Sequence, residues 1–225
     1  MSGEARADTR PRNDRRAVTA EEFAAALAVS RETMTRLAAY AALLEHWQRR
    51  INLVAADSLA DLWRRHMLDS AQLLPLIPAP PGVALDIGSG AGFPGLVLAI
   101  MGLRGVHLVE SDARKCAFLR EAARVAGLVL DRDVVIHNRR LEAVPPFAVD
   151  LITGRAVASL DALLRLTEPF RRSSTISLFH KGIRAGEELT EAAKTWRMKV
   201  ERFSSRSDPS GTILRLTEVE RDRCR

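Results

Sequence analysis

Beyond residue 81 the chain alternates between two hydrophobic rhythms, and no other feature restricts its fold as much. Short β-branched runs at 83–87, 106–110, 134–137, 149–153 and 175–179 are separated by stretches long enough to hold a helix. Repeated strand–helix–strand passages imply right-handed crossovers, hence a mostly parallel sheet covered on both faces. The closing stretch differs. Runs at 197–203 and 212–217 flank Asp208-Pro209-Ser210-Gly211, a turn sequence, and predict an antiparallel pair at one edge. The expected fold is α/β, with seven strands in one sheet.

Ahead of the sheet the spacing is helical. Thr19 followed by Glu22 makes a capping box, and Met34, Leu37, Ala41, Leu44 and Trp47 recur at helical intervals, so two helices broken near Ser30 are expected. A further amphipathic helix over 61–74 should stop before Pro75, and Pro78, Pro80, Pro81 and Gly82 cannot extend it. Four segments follow: a mobile basic arm at 1–17, an N-terminal helical extension at 18–80, a sheet domain at 81–220 and a tail at 221–225.

Composition removes several classes of function. With 225 residues, 47% of them hydrophobic, the chain can bury a full core. Two cysteines, Cys116 and Cys224, give neither a disulfide framework nor spaced metal ligands, which fits a reducing, cytoplasmic setting. Apolar runs such as 95–103 fall short of the roughly 20 residues that cross a bilayer, so no membrane partner is expected. His46, His107 and His137 are scattered and give no sign of a metal site. Trp47, Trp63 and Trp196 read as core. A net charge of +6 favours encounter with polyanions.

The chemistry centres on Asp86-Ile87-Gly88-Ser89-Gly90-Ala91-Gly92-Phe93-Pro94-Gly95, which follows an apolar strand and leads into a helix. It lacks the Gly-Lys-Ser/Thr ending of a phosphate-cradling loop. It also has Phe93 where a dinucleotide fingerprint needs its third glycine, which disfavours NAD. The spacing of Asp86, Gly88, Gly90 and Gly92 resembles the first motif of Rossmann-like class I S-adenosylmethionine-dependent methyltransferases. In that setting Asp86 suits an ammonium group, and Glu110, closing the second strand, suits a ribose diol.

Taken with Arg65-His66-Met67-Leu68-Asp69-Ser70 and Gly154-Arg155-Ala156, this loop resembles the bacterial small-subunit (16S) ribosomal RNA guanine-N7 methyltransferases, the glucose-inhibited division protein B family. The likeness runs from about residue 43 to 181. It implies S-adenosylmethionine as cofactor, with contacts at Gly88, Phe93, Leu141, Glu142 and Arg155, and ribosomal RNA or the small ribosomal subunit as partner; a monomer is expected separately from the likeness.

Arg155 is also singled out by position, as a cation among apolar neighbours at the carboxyl end of a strand, and is the residue expected to be catalytic. Guanine N7 carries an in-plane lone pair, so its methylation by in-line displacement needs no general base. No Asn-Pro-Pro-aromatic segment or attacking cysteine argues for amine or pyrimidine-carbon chemistry. Arg64, Arg65 and His66 form either an RNA-facing rim, with Arg65 held by Asp69, or an interdomain ion pair. Lys181 meets RNA phosphate or sits in a solvated turn. Two further functions stay open: methylation of a small molecule or protein, and RNA binding without catalysis.

Overall fold

The computed structural model describes residues 16–222. The basic arm and Cys224 therefore lie almost wholly, or wholly, outside the described residues. Seven strands, β1 (Ala84–Ile87), β2 (Val106–Glu110), β3 (Val134–Asn138), β4 (Val149–Arg155), β5 (Arg171–Lys181), β6 (Trp196–Ser204) and β7 (Thr212–Arg221), form one sheet. Their order is β3-β2-β1-β4-β5-β7-β6. All pairings are parallel except those of β7 with β5 and β6, which are antiparallel. The strand order reverses between β1 and β4, and the crevice outside the carboxyl ends at such a point is where open α/β sheets bind ligands.

The helices are α1 (Ala20–Leu27), α2 (Arg31–Gln48), α3 (Ala56–Leu59), α4 (Asp69–Ala71), α5 (Gly95–Ile100), α6 (Ala113–Val125), α7 (Leu160–Thr167) and α8 (Ala185–Ala192). Thr19 closes the expected capping box on α1, and Ser30 caps α2. The amphipathic stretch 61–74 is not one regular helix. A π-helical segment, Trp63–Leu68, runs into α4, and Pro75 lies inside a short 3-10 turn rather than beyond the helical region. In the wide turn the Asp69 amide bonds to the Arg64 carbonyl, and the Arg65 carbonyl takes a side-chain donor, as described below.

Side chains alternate across β1. Ala84 faces a core built with Phe23, Leu37, Tyr40, Leu44, Leu96, Leu108 and Phe118, whereas Leu85 and Ile87 face a second core with Leu163, Phe179, Leu189 and Trp196. The first core unites the N-terminal helices with the sheet, and α2 packs directly on α5 and α6. Cys116 is fully buried, and burial pushes its thiol up to about 11, so it is packing material. No helix among the described residues is long and apolar enough to cross a membrane.

Candidate active site

The loop joining β1 to α5 takes its shape from its glycines. Gly88, Gly90 and Gly92 have φ of +61°, +55° and +97°, a region that side chains other than glycine's seldom adopt. A Cβ on Gly88 would stand 2.8 Å from Val157, and one on Gly92 would stand 2.8 Å from Leu96, so protein covers both. A Cβ on Gly90 would meet nothing closer than the Gly88 carbonyl at 3.8 Å, so here the backbone is open to a ligand. Two groups brace the loop. The buried Tyr40 hydroxyl donates to the Ala91 carbonyl at 2.5 Å, and Glu110 accepts from the Gly90 amide at 2.9 Å. The other Glu110 oxygen accepts from the Asp112 amide at 2.8 Å, and Asp112 caps α6. Each carboxylate oxygen keeps a lone pair for a further donor.

Asp86 lies beneath the loop and is 1% exposed. One oxygen accepts from Thr153 at 2.7 Å and the other has no hydrogen-bond partner. Burial pushes its carboxyl up to about 6, with the Thr153 bond pulling the other way.

Arg155 ends β4 and organises the neighbouring wall. Ala156, at φ +54°, turns the chain sharply after it. The Arg155 Nη1 donates to the Arg65 carbonyl at 3.0 Å and to Asp69 at 3.1 Å, and Nη2 donates to His66 Nδ1 at 2.8 Å. Its guanidinium sits 5.1 Å from the centre of the Phe93 ring, on which His66 also stacks at 4.8 Å. Because Arg155 can only donate, His66 Nδ1 must accept, which puts the imidazole proton on Nε2, 2.7 Å from Ser58 Oγ. Burial, with Arg155 adding to it, pushes His66 down to about 3.

Asp69 is the counter-ion of this cluster. It also accepts from Ser207 and, at 2.9 Å, from Gln72, while its own carbonyl accepts from His180 Nε2 at 2.7 Å. Its carboxyl is held below the ordinary range: burial opposes the charge, and the attractions of His180 and Arg155 with the Ser207 bond outweigh it. His180 pairs in register with Arg155 across β4 and β5, and its buried Nδ1 lacks a partner.

The structure brings Asp86, Gly88, Gly90, Gly92, Phe93, Glu110 and Arg155 to one sheet edge. Leu141 and Glu142 lie in a short turn after β3, Leu141 buried and Glu142 exposed. The expected RNA contacts are placed differently. Arg64 is buried against Asp61, which also accepts from the Val18 amide, so its guanidinium is held inside the extension, with Nη1 buried and unpartnered. Asp69 holds Arg155, not Arg65, and Arg65 pairs with Asp57 at 3.1 Å. Lys181 is buried, donating to the Ala158 carbonyl at 2.7 Å and pairing with Glu188 at 2.8 Å, so it ties the turn after β4 to α8 and does not sit in a solvated turn. His66 faces Arg155 and Ser58. Tyr40, Asp69 as a hub and Ser207 carry no mark in the sequence, whereas the segment His180-Lys181-Gly182, ending an apolar run, does point to this end of the sheet.

Comparison with known proteins settles the lineage. Residues 33–210 match the family model GidB, described as rRNA small subunit methyltransferase G. The chain is a member of the GidB family. It is 57% identical over 204 residues to the ribosomal RNA small subunit methyltransferase G of Rhodospirillum rubrum, covering 91% of this chain and 100% of that one. The counterpart in Rhodospirillum centenum is 54% identical over 200 residues, covering 89% and 91%. Among solved structures, the GidB chain shares its fold with a putative O-methyltransferase from Klebsiella pneumoniae (TM-score 0.56, 18% identity, covering 88% of this chain and 95% of that one). M. jannaschii TYW2 in complex with AdoMet is similar too (TM-score 0.54, 16% identity, covering 77% and 80%). The cofactor of this family is S-adenosylmethionine, and the open face at Gly90 fits such a group, while Asp86 lies buried beneath the loop.

Proposed function

We propose that this chain methylates N7 of a guanine in 16S ribosomal RNA, using S-adenosylmethionine, as a single polypeptide in the cytoplasm. One observation carries the choice of atom: the groups at this edge that could remove a proton are either engaged or buried, the unpartnered Nδ1 of His180 being among the buried ones. His66 is neutral and spends its only lone pair on Arg155. Glu110 braces backbone amides, and Asp86 is sealed below the loop. A site without a free base suits an atom that offers its lone pair in the neutral ring, whereas an exocyclic amine or hydroxyl would need deprotonation.

S-adenosylmethionine would supply an electrophilic methyl group on its sulfonium. In this reading the open backbone at Gly90 faces it, Gly88 and Phe93 shape the loop around that opening, Glu110 accepts its ribose hydroxyls, and the turn at Leu141 and Glu142 borders its adenine. Arg155 commits three of five guanidinium donors to Arg65, Asp69 and His66, which leaves two for cofactor or guanine O6. Pinned from behind, it orients without paying to be ordered. Arg65, on the exposed rim beside Arg155, faces the RNA.

The test is incubation with labelled S-adenosylmethionine and small ribosomal subunits that lack the modification, followed by strand scission at N7-methylguanine. Label at one scission site supports the reading. Label on protein, on a small molecule or nowhere rejects it.

A further inference from the structure

The cations first expected to meet RNA are mostly consumed inside the protein, which directs attention to the turn between β6 and β7. Since β6 runs parallel to β5, residues 205–211 stand at the same carboxyl edge as Arg155. Buried groups behind the turn clamp it. Gln72, 4% exposed, accepts from the Arg206 amide at 2.7 Å, and Ser207, also 4% exposed, donates to Asp69, the counter-ion of Arg155. Within the turn, Ser205 Oγ accepts from the amides of Ser207 and Asp208 at 3.2 and 3.3 Å. Asp208, the acidic neighbour, has its Oδ1 turned to the amide and hydroxyl of Ser210, each at 2.8 Å.

Through this arrangement only the backbone of Arg206 is used. Its side chain is exposed, and among the described residues no carboxylate pairs with it. Near this edge Arg65 is answered by Asp57 and Arg184 by Glu187, whereas Arg202 on β6 and Arg139 and Arg140 after β3, at the far end of the strand order, share with Arg206 the lack of a carboxylate partner among the described residues; what distinguishes Arg206 is its place on a turn clamped by Gln72 and Ser207. An unpaired guanidinium on a turn fixed by buried hydrogen bonds is suited to an anion that arrives from outside.

We propose that Arg206 contacts a phosphate of the RNA strand whose base enters beside Arg155. The inference rests on the RNA-modifying reading above and adds to it a residue and a ligand group. Because the clamp uses the Arg206 amide, Arg206→Ala leaves Gln72 and Asp69 their partners and folds as the parent does. The control is Arg124→Ala, an exposed arginine in the last turn of α6, at the opposite edge of the sheet.

Binding of protein-free 16S RNA and of intact subunits is measured from about 50 to 200 mM salt, for the parent, both alanine variants and Arg206→Lys. We expect Arg206→Ala to flatten the slope of log affinity against log salt by about 0.7 to 1, and to weaken binding about fivefold at moderate salt. KM for subunits rises with affinity, while kcat and cofactor affinity stay within twofold. Arg206→Lys keeps the slope, and Arg124→Ala matches the parent. An Arg206→Ala slope equal to the parent's overturns the proposal, as does a loss confined to kcat or cofactor affinity, which would mark a structural role. If the parent binds no RNA, the functional reading falls and this inference with it. Normal parental turnover with an unchanged slope sinks the inference alone.

Discussion

Removing the guanidinium of Arg155 should cost the fold as well as the reaction, and the two costs can be separated by a double-mutant cycle with Asp69. The pair meets at 3.1 Å with side chains 19% and 12% exposed, so solvent screens it little. A buried ion left without its partner typically costs about 3–5 kcal/mol, against at most about 1 kcal/mol for an exposed pair. Ser207 and Gln72 still serve Asp69 in Arg155→Ala, which favours the lower end, but the lost bonds to His66 and the Arg65 carbonyl add to it. We expect about 3–4 kcal/mol, a fall in Tm of roughly 6–16 °C for a chain of this size, and a protein that still folds. Asp69→Asn should cost about 2–3 kcal/mol, since Arg155 keeps two acceptors. The double variant should be less impaired than the sum of the singles by about 2 kcal/mol, because neither charge is then stranded. Urea unfolding with equal m-values reads the energies, and methyl transfer read alongside should be lost in both Arg155 variants. Additivity within about 0.5 kcal/mol would refute the claim that Asp69 acts through Arg155.

Three further outcomes follow from the site. Gly90→Val should keep the fold by circular dichroism, at a backbone cost of about 1–2 kcal/mol, yet lose at least tenfold in cofactor affinity by calorimetry; unchanged affinity would reject the placement of the loop. Tyr40→Phe strands the buried Ala91 carbonyl, so stability should fall by about 1 kcal/mol and cofactor binding should weaken, and neither change would mean that α2 does not brace the loop. Asp86 titrates at about 6 in the folded chain against an ordinary 3.8, so its contribution is full below 3.8 and is lost as pH rises through 6. The stability of the parent minus that of Asp86→Asn, without cofactor, should therefore decline from pH 4 to pH 7 by no more than about 3 kcal/mol, and a flat difference counts against the buried charge.

The parts legible in the sequence are those fixed by local chemistry. Hydrophobic period located every strand of the sheet, Thr19 and Ser30 opened the first two helices, and three glycines after an apolar strand marked the loop. Pairings between distant residues left no such mark. Asp69 stood one turn from Arg65 and so seemed matched to it, because spacing along a helix cannot register a partner 86 residues away on a strand. The π-helical turn at 63–68 bends the expected helix, and the Arg65 carbonyl meets Arg155 there. Arg64 and Lys181 looked available because a sequence shows charge but not burial.

These long-range contacts also bear on how the N-terminal helices relate to the sheet. The proline-rich stretch 78–81 interrupts periodicity, yet the apolar core does not stop there: Phe23, Leu37, Tyr40 and Leu44 are buried in one cluster with Leu96, Leu108 and Phe118. Polar links cross the same line. Tyr40 reaches the glycine loop, Asp69 reaches Arg155 and Ser207, and Gln72 reaches the turn carrying Arg206. The extension thus supplies both a hydrophobic wall under the glycine loop and the counter-ion of Arg155. Cutting the chain near residue 80 would expose that wall and leave Arg155 without Asp69, so a separated sheet domain would lose the site's geometry along with its stability.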